Sequence, residues 1–422
     1  MTEAPRIYNL FPRLAGKFTA WGPHLERAAR MNFNWVFLNP ISQPGVSGSI
    51  YSITDHYRFD PLLVDEGAGK SAEEQVKDVL AQGRRLGLRF MVDLVVNHTA
   101  MDSALVGQHP AWYQRNDDGS VRAPGAWDGP NWITWFDLAA IDNATSPERS
   151  ALWDYWDRLV AYYQGLGFAG FRCDAAYQVP RGLWRHLIER ARARGETVFF
   201  AETLGCTVEE TISTARAGFD YIFNSFKWWD LAAPWFLEHY QKTAKVAPSV
   251  AFPESHDTER IYPQGGEPLL IQRYALAAAI SAGVLMPVGY EFGFSRKLHV
   301  VETRPEHWEQ PALDITAFIA HVNDAKAACP IMNVDSPPRL VEQANPDVVC
   351  LARQHEGERL LICVNKDLRV EQQLRLNLDR LLGKESNVSD LLRPGLEIPR
   401  RLEAWLEPGE VVLLYATPRK GR

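Results

Sequence analysis

The sequence predicts a (β/α)8 TIM barrel with an irregular insertion after its third strand and a small C-terminal antiparallel β-sandwich. Three observations lead to this fold class. Short apolar runs alternate eight times with helical patterns, polar side chains close many of these runs, and the pattern changes to short strands after Pro337-Pro338. A doubly wound parallel sheet is the alternative, but polar residues at so many strand ends favour the barrel.

The barrel elements follow from buried-type strands and from helix start signals. Residues 35–38 (WVFL) are wholly apolar, as expected for a strand covered on both faces. Ser71 and Glu74 form a capping-box sequence that begins a helix. The predicted strands are 6–11, 35–38, 88–96, 169–174, 197–201, 219–223, 249–252 and 284–290. The predicted helices are 22–31, 71–87, 146–165, 180–194, 207–216, 226–240, 269–282 and 313–328.

Two segments fall outside this alternation. Between residues 99 and 145 the helical period stops, and tryptophans stand among Gly, Pro, Asp and Asn, which is typical of a functional excursion. Short apolar runs over 340–341, 348–353, 359–365, 371–376 and 411–416 predict the β-sandwich. The predicted domains are the barrel at 1–98 and 146–335, the insertion at 99–145 and the sandwich at 336–422.

Composition argues against several classes of partner. The 422 residues carry a net charge of −7 with dispersed lysines and arginines, which argues against nucleic acid. The five cysteines show no CxxC spacing, so we expect reduced thiols, a cytoplasmic location and no zinc site. We expect no signal peptide and no contact with a membrane, because no apolar run reaches spanning length. No sequence feature indicates an oligomeric state.

The stretch FAGFRCD, residues 168–174, places a cation and a carboxylate at the end of an apolar strand. Because strand side chains alternate between faces, Arg172 and Asp174 point the same way. The arginine keeps the aspartate ionised and orients it, which suits a carboxylate nucleophile. An isolated pair of this kind more often closes a strand edge, but further carboxylates follow at later strand ends.

Polar side chains at the predicted strand ends would converge on one rim of the barrel. Retaining cleavage of a glycosidic bond needs two carboxyl groups about 5–5.5 Å apart, one as nucleophile and one as acid/base. Glu202 follows the apolar residues 199–201, which we expect to raise its pKa as an acid catalyst requires. The predicted rim residues are Asp93, Asn97, His98, Arg172, Asp174, Glu202, His256 and Asp257.

Four motifs in this order resemble those of glycoside hydrolase family 13, the α-amylase family. They are DLVVNH (93–98), GFRCDAA (170–176), AET (201–203) and SHD (255–257), on the predicted third, fourth, fifth and seventh strands. The resemblance covers roughly residues 6 to 330. It implies Asp174 as nucleophile, Glu202 as general acid/base and Asp257 as transition-state stabiliser. The sugar ligands that it implies in subsite −1 are Arg172, His98 and His256.

Shorter similarities to this family add further expectations. YSITD (51–55) is similar to a segment whose tyrosine stacks on the −1 sugar, although Tyr51 packing under its own loop is an equal alternative. PVGYEFG (287–293) resembles the eighth-strand signature, in which the glutamate, here Glu291, is mostly structural. In many members a calcium ion ties the insertion to the barrel, with Asn97 and Asp137 as the ligands implied here. Asn97 bonded to loop backbone is the alternative. The chemistry itself implies no cofactor.

The predicted function is retaining cleavage of α-1,4-glucosidic bonds in maltooligosaccharides or α-glucan, by hydrolysis or transglycosylation. Residues 7–18, 108–120 and 265–283 resemble maltosyltransferases that use maltose 1-phosphate, and this activity is the alternative. A phosphate donor needs cations near the leaving group, and the sequence offers Lys227 and Arg260 as the nearest candidates. A catalytically inactive α-glucan-binding protein is the second alternative.

Overall fold

Eight parallel strands close into a barrel, in which each strand pairs with its neighbours along the chain and the last pairs with the first. The computed structural model describes residues 3–128 and 131–418, so the predicted domain bounds at residues 1 and 422 and positions 129–130 of the insertion lie outside the described residues. The barrel strands are Arg6–Leu10, Trp35–Leu38, Arg89–Leu94, Gly170–Cys173, Val198–Ala201, Tyr221–Phe223, Ser249–Ala251 and Gly283–Pro287. The predicted (β/α)8 barrel is confirmed.

Helices follow the barrel strands and cover the outside of the barrel. The capping box at Ser71 and Glu74 forms as predicted, because each side chain bonds the other residue's backbone N–H. In chain order the longer helices are Gly22–Arg30, Ala72–Arg85, Arg149–Leu166, Arg181–Arg194, Val208–Ala215, Pro234–Thr243, Tyr262–Ile280 and Thr316–Ala328. Short helices are Pro12–Ala15, Ala104–Gln108 and Leu378–Leu382.

The segment after the third barrel strand carries more pairing than its composition suggests. Strand His98–Ala100 pairs antiparallel with Leu138–Ala140, so both ends of the insertion are joined close to the barrel rim. Strands Gly125–Asp128 and Asn131–Thr134 form a separate hairpin. A further small sheet pairs Ser42–Pro44 with Ile53–Phe59 after the second barrel strand.

The C-terminal part forms two antiparallel sheets, in agreement with the predicted fold class. The larger sheet has the order Arg339–Val341, Val348–His355, Glu358–Asn365, Val411–Pro418 and Ser386–Asp390, and the smaller one pairs Gln372–Asn377 with Arg401–Leu406. The strands over 386–390 and 401–406 are absent from the sequence prediction. The side chains of 386–390 are mostly polar, and 401–406 ends in three consecutive apolar residues, so neither segment shows the regular apolar alternation that identifies a strand.

Two apolar clusters decide where the site can lie. One is continuous between the outer faces of the barrel strands, the helices and the barrel-facing side of the larger sandwich sheet, where Leu351 and Leu360 belong to it. The other fills the barrel interior with large side chains, among them Trp35, Phe200 and Phe252. Because the barrel is packed solid, polar chemistry is confined to the rim at the carboxyl ends of its strands.

The predicted start of one helix is wrong. The sequence predicts a helix over 226–240, but the structure has a short 3-10 turn at Phe226–Trp228 and a helix that begins only at Pro234. Proline has no N–H and a fixed φ, so it is tolerated at the first turn of a helix and breaks an interior. Of the helices in the part of the chain that the structure describes, none has the length and hydropathy that crossing a membrane requires.

Candidate active site

Arg172 joins two carboxylates from neighbouring barrel strands. The sheet register sets Arg172 directly beside Asp93, and its Nη1 donates to both carboxylate oxygens of Asp93 at 2.9 and 3.0 Å. The same Nη1 donates to Asp174 Oδ1 at 2.6 Å. Burial alone lowers the pKa of Arg172, but the charges of Asp93 and Asp174 raise it well above its ordinary value. The guanidinium is therefore a fixed positive charge in the rim.

Glu202 lies on the other side of this guanidinium, in a different environment. Its Oε2 is 3.9 Å from Arg172 Nη2, and its two oxygens accept hydrogen bonds from the backbone N–H groups of Ala175 and Leu204 at 2.8 and 2.6 Å. Ala175 has a positive φ of 39°, an uncommon conformation for a residue with a Cβ, and this aims its N–H at the carboxyl group. Burial raises the pKa of Glu202 to about 7, although Arg172 opposes the shift.

Tyr51 and His256 extend this hydrogen-bond network from Asp93. The Tyr51 hydroxyl donates to Asp93 Oδ2 at 2.7 Å and shares a 2.8 Å hydrogen bond with His256 Nε2, and the two rings are stacked. Because the tyrosine proton goes to Asp93, His256 Nε2 carries the hydrogen of this second bond. Burial lowers the pKa of His256, so the ring is neutral, although Asp257 opposes the shift.

Asp257 is the most exposed of the four carboxyl groups at the rim. Its Oδ2 lies 3.1 Å from His256 Nε2, while 54% of its side chain is exposed. Asp174, by comparison, has 16% of its side chain exposed. A carboxylate with an open face can accept hydroxyl groups of a sugar that enters the rim.

The floor beneath these groups is apolar. Phe37, Phe223, Phe252 and Leu285 line one pocket together with Arg172, Glu202, His256 and Asp257. These four apolar side chains also belong to the cluster inside the barrel. Their contribution is the low-dielectric surrounding that keeps a neutral Glu202 favourable.

The remaining predicted site residues lie in two places. His98 joins the rim, because its Nε2 lies 3.2 Å from the backbone oxygen of Tyr51, and burial lowers its pKa. The structure does not bring Asn97 and Asp137 together. Asn97 O accepts from Ile141 N and Asp137 O accepts from Met101 N, so the two residues flank opposite ends of one short ladder.

These positions give a poor fit to a calcium site. The cation needs six to eight oxygen ligands. Asn97 Oδ1 is buried without a hydrogen-bond partner among the described residues, so this one oxygen could act as a metal ligand. No group of three or more His, Cys, Asp or Glu side chains within residues 3–128 and 131–418 is arranged to hold a metal. The chemistry below is therefore derived without a metal ion.

The sequence does not identify two features near the rim. The sequence predicts Asp93 on the rim without a role, and its pairing with Arg172 depends on strand register, which the motif alone does not reveal. Arg122 of the insertion is absent from the predicted site. It lines a groove with Asn97, Tyr177 and Gln178, and its guanidinium donates to Gln114 Oε1 at 3.3 Å. A basic side chain in an excursion rich in Trp and Gly was the available signal.

Other buried carboxylates hold structure together. Glu291 is fully buried and accepts hydrogen bonds from Tyr8, Arg27 and the backbone of Gly289, which agrees with a structural role. Arg260, a predicted candidate for a phosphate group, is buried and donates to Glu254 at 2.8 Å and to two backbone carbonyls. Its donor groups are thus engaged within the fold.

Comparisons with known proteins agree with this fold. A solved maltogenic α-amylase AmyB from Thermotoga neapolitana superposes with a TM-score of 0.79 at 19% identity, over 97% of this chain and 98% of that one. An α-amylase from Geobacillus thermoleovorans, solved with acarbose, superposes with a TM-score of 0.77 at 15% identity over 99% of each chain. The protein thus has the barrel fold of the α-amylases.

Sequence comparisons add a second likeness. The chain is 28% identical over 385 residues to an α-1,4-glucan:maltose-1-phosphate maltosyltransferase from Burkholderia pseudomallei, covering 86% of this chain and 33% of that relative. It is 24% identical to the α-amylase MalA of Haloarcula japonica, over 85% of this chain and 55% of the relative. A family model for the glucanotransferase domain of glycogen debranching enzyme matches residues 2–117. The chain is therefore similar in sequence to maltosyltransferases and to an α-amylase, and similar in fold to the α-amylases.

Proposed function

We propose that this protein is a retaining α-glucan-active enzyme that transfers maltosyl or longer α-1,4-glucosyl units through a covalent intermediate. The observation that carries the proposal is the placement of two unlike carboxyl groups on either side of Arg172. Asp174 contacts the guanidinium at 2.6 Å, whereas Glu202 is buried with a pKa raised to about 7. One group suits a nucleophile and the other suits a general acid.

In the first step the anomeric carbon of the donor gains a bond to Asp174 and loses its bond to the leaving group. Arg172 holds Asp174 Oδ1, so we assign the attack on the anomeric carbon to Oδ2. The bond from this carbon to the leaving oxygen breaks, and the Glu202 proton passes to that oxygen. The products are a glycosyl ester on Asp174, an ionised Glu202 and the protonated leaving group, which is inorganic phosphate from maltose 1-phosphate or a sugar hydroxyl from a glucan.

The second step reverses the roles. Ionised Glu202 takes a proton from the hydroxyl group of an acceptor sugar or of water, and that oxygen attacks the anomeric carbon as the ester bond to Asp174 breaks. Two displacements restore the original α configuration. Asp257, His256, His98 and Tyr51 bind the sugar hydroxyls around this centre, and Asp257 stabilises the positive charge that develops on the sugar ring.

The relatives favour maltose 1-phosphate as the donor, because several of those that match most of this chain are named maltosyltransferases for it. This transferase activity is our leading assignment. The chain spans a third to two thirds of the length of these relatives. Arg122 supports the assignment, since it is exposed and has no ion pair within the described parts of the chain.

The amylase route on free maltooligosaccharides is the second candidate. The guanidinium of Arg172 is bonded to carboxylates, and that of Arg260 is bonded to Glu254 inside the fold. Burial lowers the pKa of the half-buried Lys227. A neutral donor needs none of these cations. Trp132, Tyr177 and the side-chain amides of the neighbouring groove favour this route, because aromatic and amide groups suit neutral sugars.

One assay separates the two donors. Maltose 1-phosphate with maltohexaose is offered in one reaction and maltohexaose alone in the other. Phosphate release with growth of the acceptor by two glucose units, and no reaction in the second tube, identifies the phosphate-dependent transferase. A ladder of products from maltohexaose alone identifies the amylase route. Unchanged sugars in both reactions would reject the enzyme in favour of an α-glucan-binding protein.

A further inference from the structure

Two cysteines that are distant in the sequence meet inside the C-terminal sandwich. Cys350 lies on strand Val348–His355 and Cys363 on the following strand, Glu358–Asn365. The antiparallel register sets the two residues directly opposite each other, and their Sγ atoms are 3.1 Å apart. Both thiols are free. The fold thus creates a dithiol pair that no spacing in the sequence indicates.

The backbone around this pair suits a covalent bond between the two sulfurs. Directly opposite residues of antiparallel strands have Cα atoms about 4.5–5.5 Å apart, and a disulfide spans Cα atoms about 4.4–6.8 Å apart. The hairpin turn fixes this register, because Glu356 and Gly357 both have positive φ, 43° and 87°, as a two-residue turn between twisted strands requires. Each of the two strands also has a further strand on its other side. The strands therefore need not shift for the bond to form.

The surroundings of the pair keep it unreactive while the sandwich is closed. Both side chains are fully buried, in an apolar cluster that also contains Leu361, Leu374 and Leu414. Burial raises the pKa of the Cys363 thiol well above its ordinary value. Because the thiolate is the reactive form, the pair should react only when the two sheets separate locally and admit water and an oxidant. The same burial protects a disulfide, once formed, from reducing thiols.

The strands that carry the two cysteines also hold the sandwich to the barrel. Neighbouring residues on these strands point the opposite way, and Leu351 and Ile362 belong to the apolar cluster that the sandwich shares with the barrel. Arg353 of the first strand donates to the backbone oxygens of Val334 and Ser336 at 2.5 and 3.0 Å, in the segment that joins the two parts of the chain. A bond between the cysteines would therefore cross-link the two strands at this junction.

We infer that Cys350 and Cys363 form an oxidation site, which a low-molecular-weight disulfide converts into a cross-strand disulfide that stabilises the sandwich. One cysteine thiolate attacks a sulfur of the small disulfide, so that a mixed disulfide forms and one small thiolate leaves. The second cysteine thiolate attacks the first cysteine sulfur, the cross-strand bond forms and the second small thiolate leaves. The two protons that the cysteines lose pass to the two small thiolates. The cysteines thus lose two electrons, and the small disulfide gains them.

Equilibration of the full chain with glutathione tests this inference. The protein is held without oxygen in mixtures of oxidised and reduced glutathione, in urea below the unfolding transition so that the sandwich can open and close, until its thiol content is constant. We expect two of the five thiols to be lost, and peptide mass mapping to show one disulfide, between Cys350 and Cys363. After removal of urea, the oxidised protein should melt about 3–5 °C above the reduced protein, because the cross-link restricts the unfolded chain. Dithiothreitol should reverse both changes.

Single cysteine variants provide the controls. Cys350→Ala and Cys363→Ala should each form no intramolecular disulfide, and two variants guard against one of them failing to fold. Cys329→Ala removes another buried cysteine and should form the disulfide as the wild type does. Five free thiols in the most oxidising mixture, or a disulfide between any other two cysteines, would overturn the inference. An oxidised protein that melts no higher than the reduced one would equally overturn it. Mass and melting temperature are the readouts, so the result is independent of the proposed function.

Discussion

The catalytic rim differs from the groove lined by Asn97, Gln114, Arg122 and Gln178 in how tightly its polar side chains are bonded. In the rim, Arg172, Asp93, Tyr51 and His256 are buried or partly buried and bonded to one another at 2.7–3.0 Å. In the groove, the amides make hydrogen bonds of 3.1–3.5 Å, and Trp132 is half exposed. The rim is preorganised for one reaction, whereas the groove retains unused bonding capacity. Rim variants should therefore affect every substrate, and groove variants should change the choice among substrates.

The largest effect is expected at the nucleophile. Asp174→Asn removes the charge that forms the glycosyl ester, so we expect kcat on any donor to fall by about 10³-fold or more while the protein folds normally. Asp154→Asn on the exposed face of helix Arg149–Leu166 is the control. Near-normal turnover by the Asp174→Asn variant would rule out this nucleophile.

Glu202→Gln should separate donors by their leaving groups. The variant cannot protonate a departing oxygen, so cleavage of natural glucans should fall by about 10²–10⁴-fold. A dinitrophenyl maltoside needs no such proton, and its first step should be largely spared. Rates from stopped-flow release of the dinitrophenolate measure that step alone. Equal losses on both donors would contradict the acid role, and Glu259→Gln on the exposed surface is the control.

Asp93→Asn tests whether the buried ion cluster positions Arg172. The change leaves the guanidinium with one fewer counterion in a buried setting, and breaking such a pair costs about 3–5 kcal/mol. We expect a lower Tm together with a fall in kcat of about 10²-fold, less than for Asp174→Asn. Asp78→Asn breaks the exposed pair with Lys70 and should leave Tm and kcat nearly unchanged. A normal kcat in the Asp93→Asn variant would show that Arg172 holds its place through Asp174 alone.

The rim was largely predictable from sequence, because its residues sit at the ends of buried strands. A run such as FAGFRCD gives both the strand and the polar pair that closes it, and all eight barrel strands were placed within a few residues. Strand register was not predictable. It decides that Arg172 stands beside Asp93, and neighbouring strands carry no local signal for it.

The groove was not predictable, because it depends on how the insertion pairs with itself. The hairpin that sets Trp132 against Gly125 joins segments of Gly, Pro and Trp without a clear period. For the same reason the sequence does not predict the pairing of 98–100 with 138–140, which separates Asn97 from Asp137. The error over 226–240 differs in kind, since Pro234 was a visible helix-start signal.

The pH profile should follow the protonation of Glu202. Burial raises its pKa to about 7. A general acid works in its protonated form, so kcat/KM for natural glucans should hold up to about pH 7 and then fall about tenfold per pH unit. The same profile measured with a dinitrophenyl maltoside should lack this alkaline decline in its first step. A decline centred near the ordinary value for a free glutamate, about 4.3, would mean that burial does not govern this group.

The smallest effect concerns Arg122, the exposed arginine in the lining of the groove. It lines the groove, and its single side-chain hydrogen bond in the described structure, at 3.3 Å to Gln114, leaves most of its donors available. If the leaving group is phosphate, Arg122→Gln should raise KM for maltose 1-phosphate about tenfold, because a charged hydrogen bond of roughly 1.5–3 kcal/mol is lost. The variant and the wild type should have the same KM for α-maltosyl fluoride, because this donor has no phosphate dianion for Arg122 to bind. Arg115→Gln removes an arginine of the same insertion whose side chain bonds the backbone carbonyls of Gly119 and Pro110, and it serves as the matched control. An equal change in KM for both donors would mean that Arg122 supports the groove without selecting the phosphate, and the amylase route would then become the better assignment.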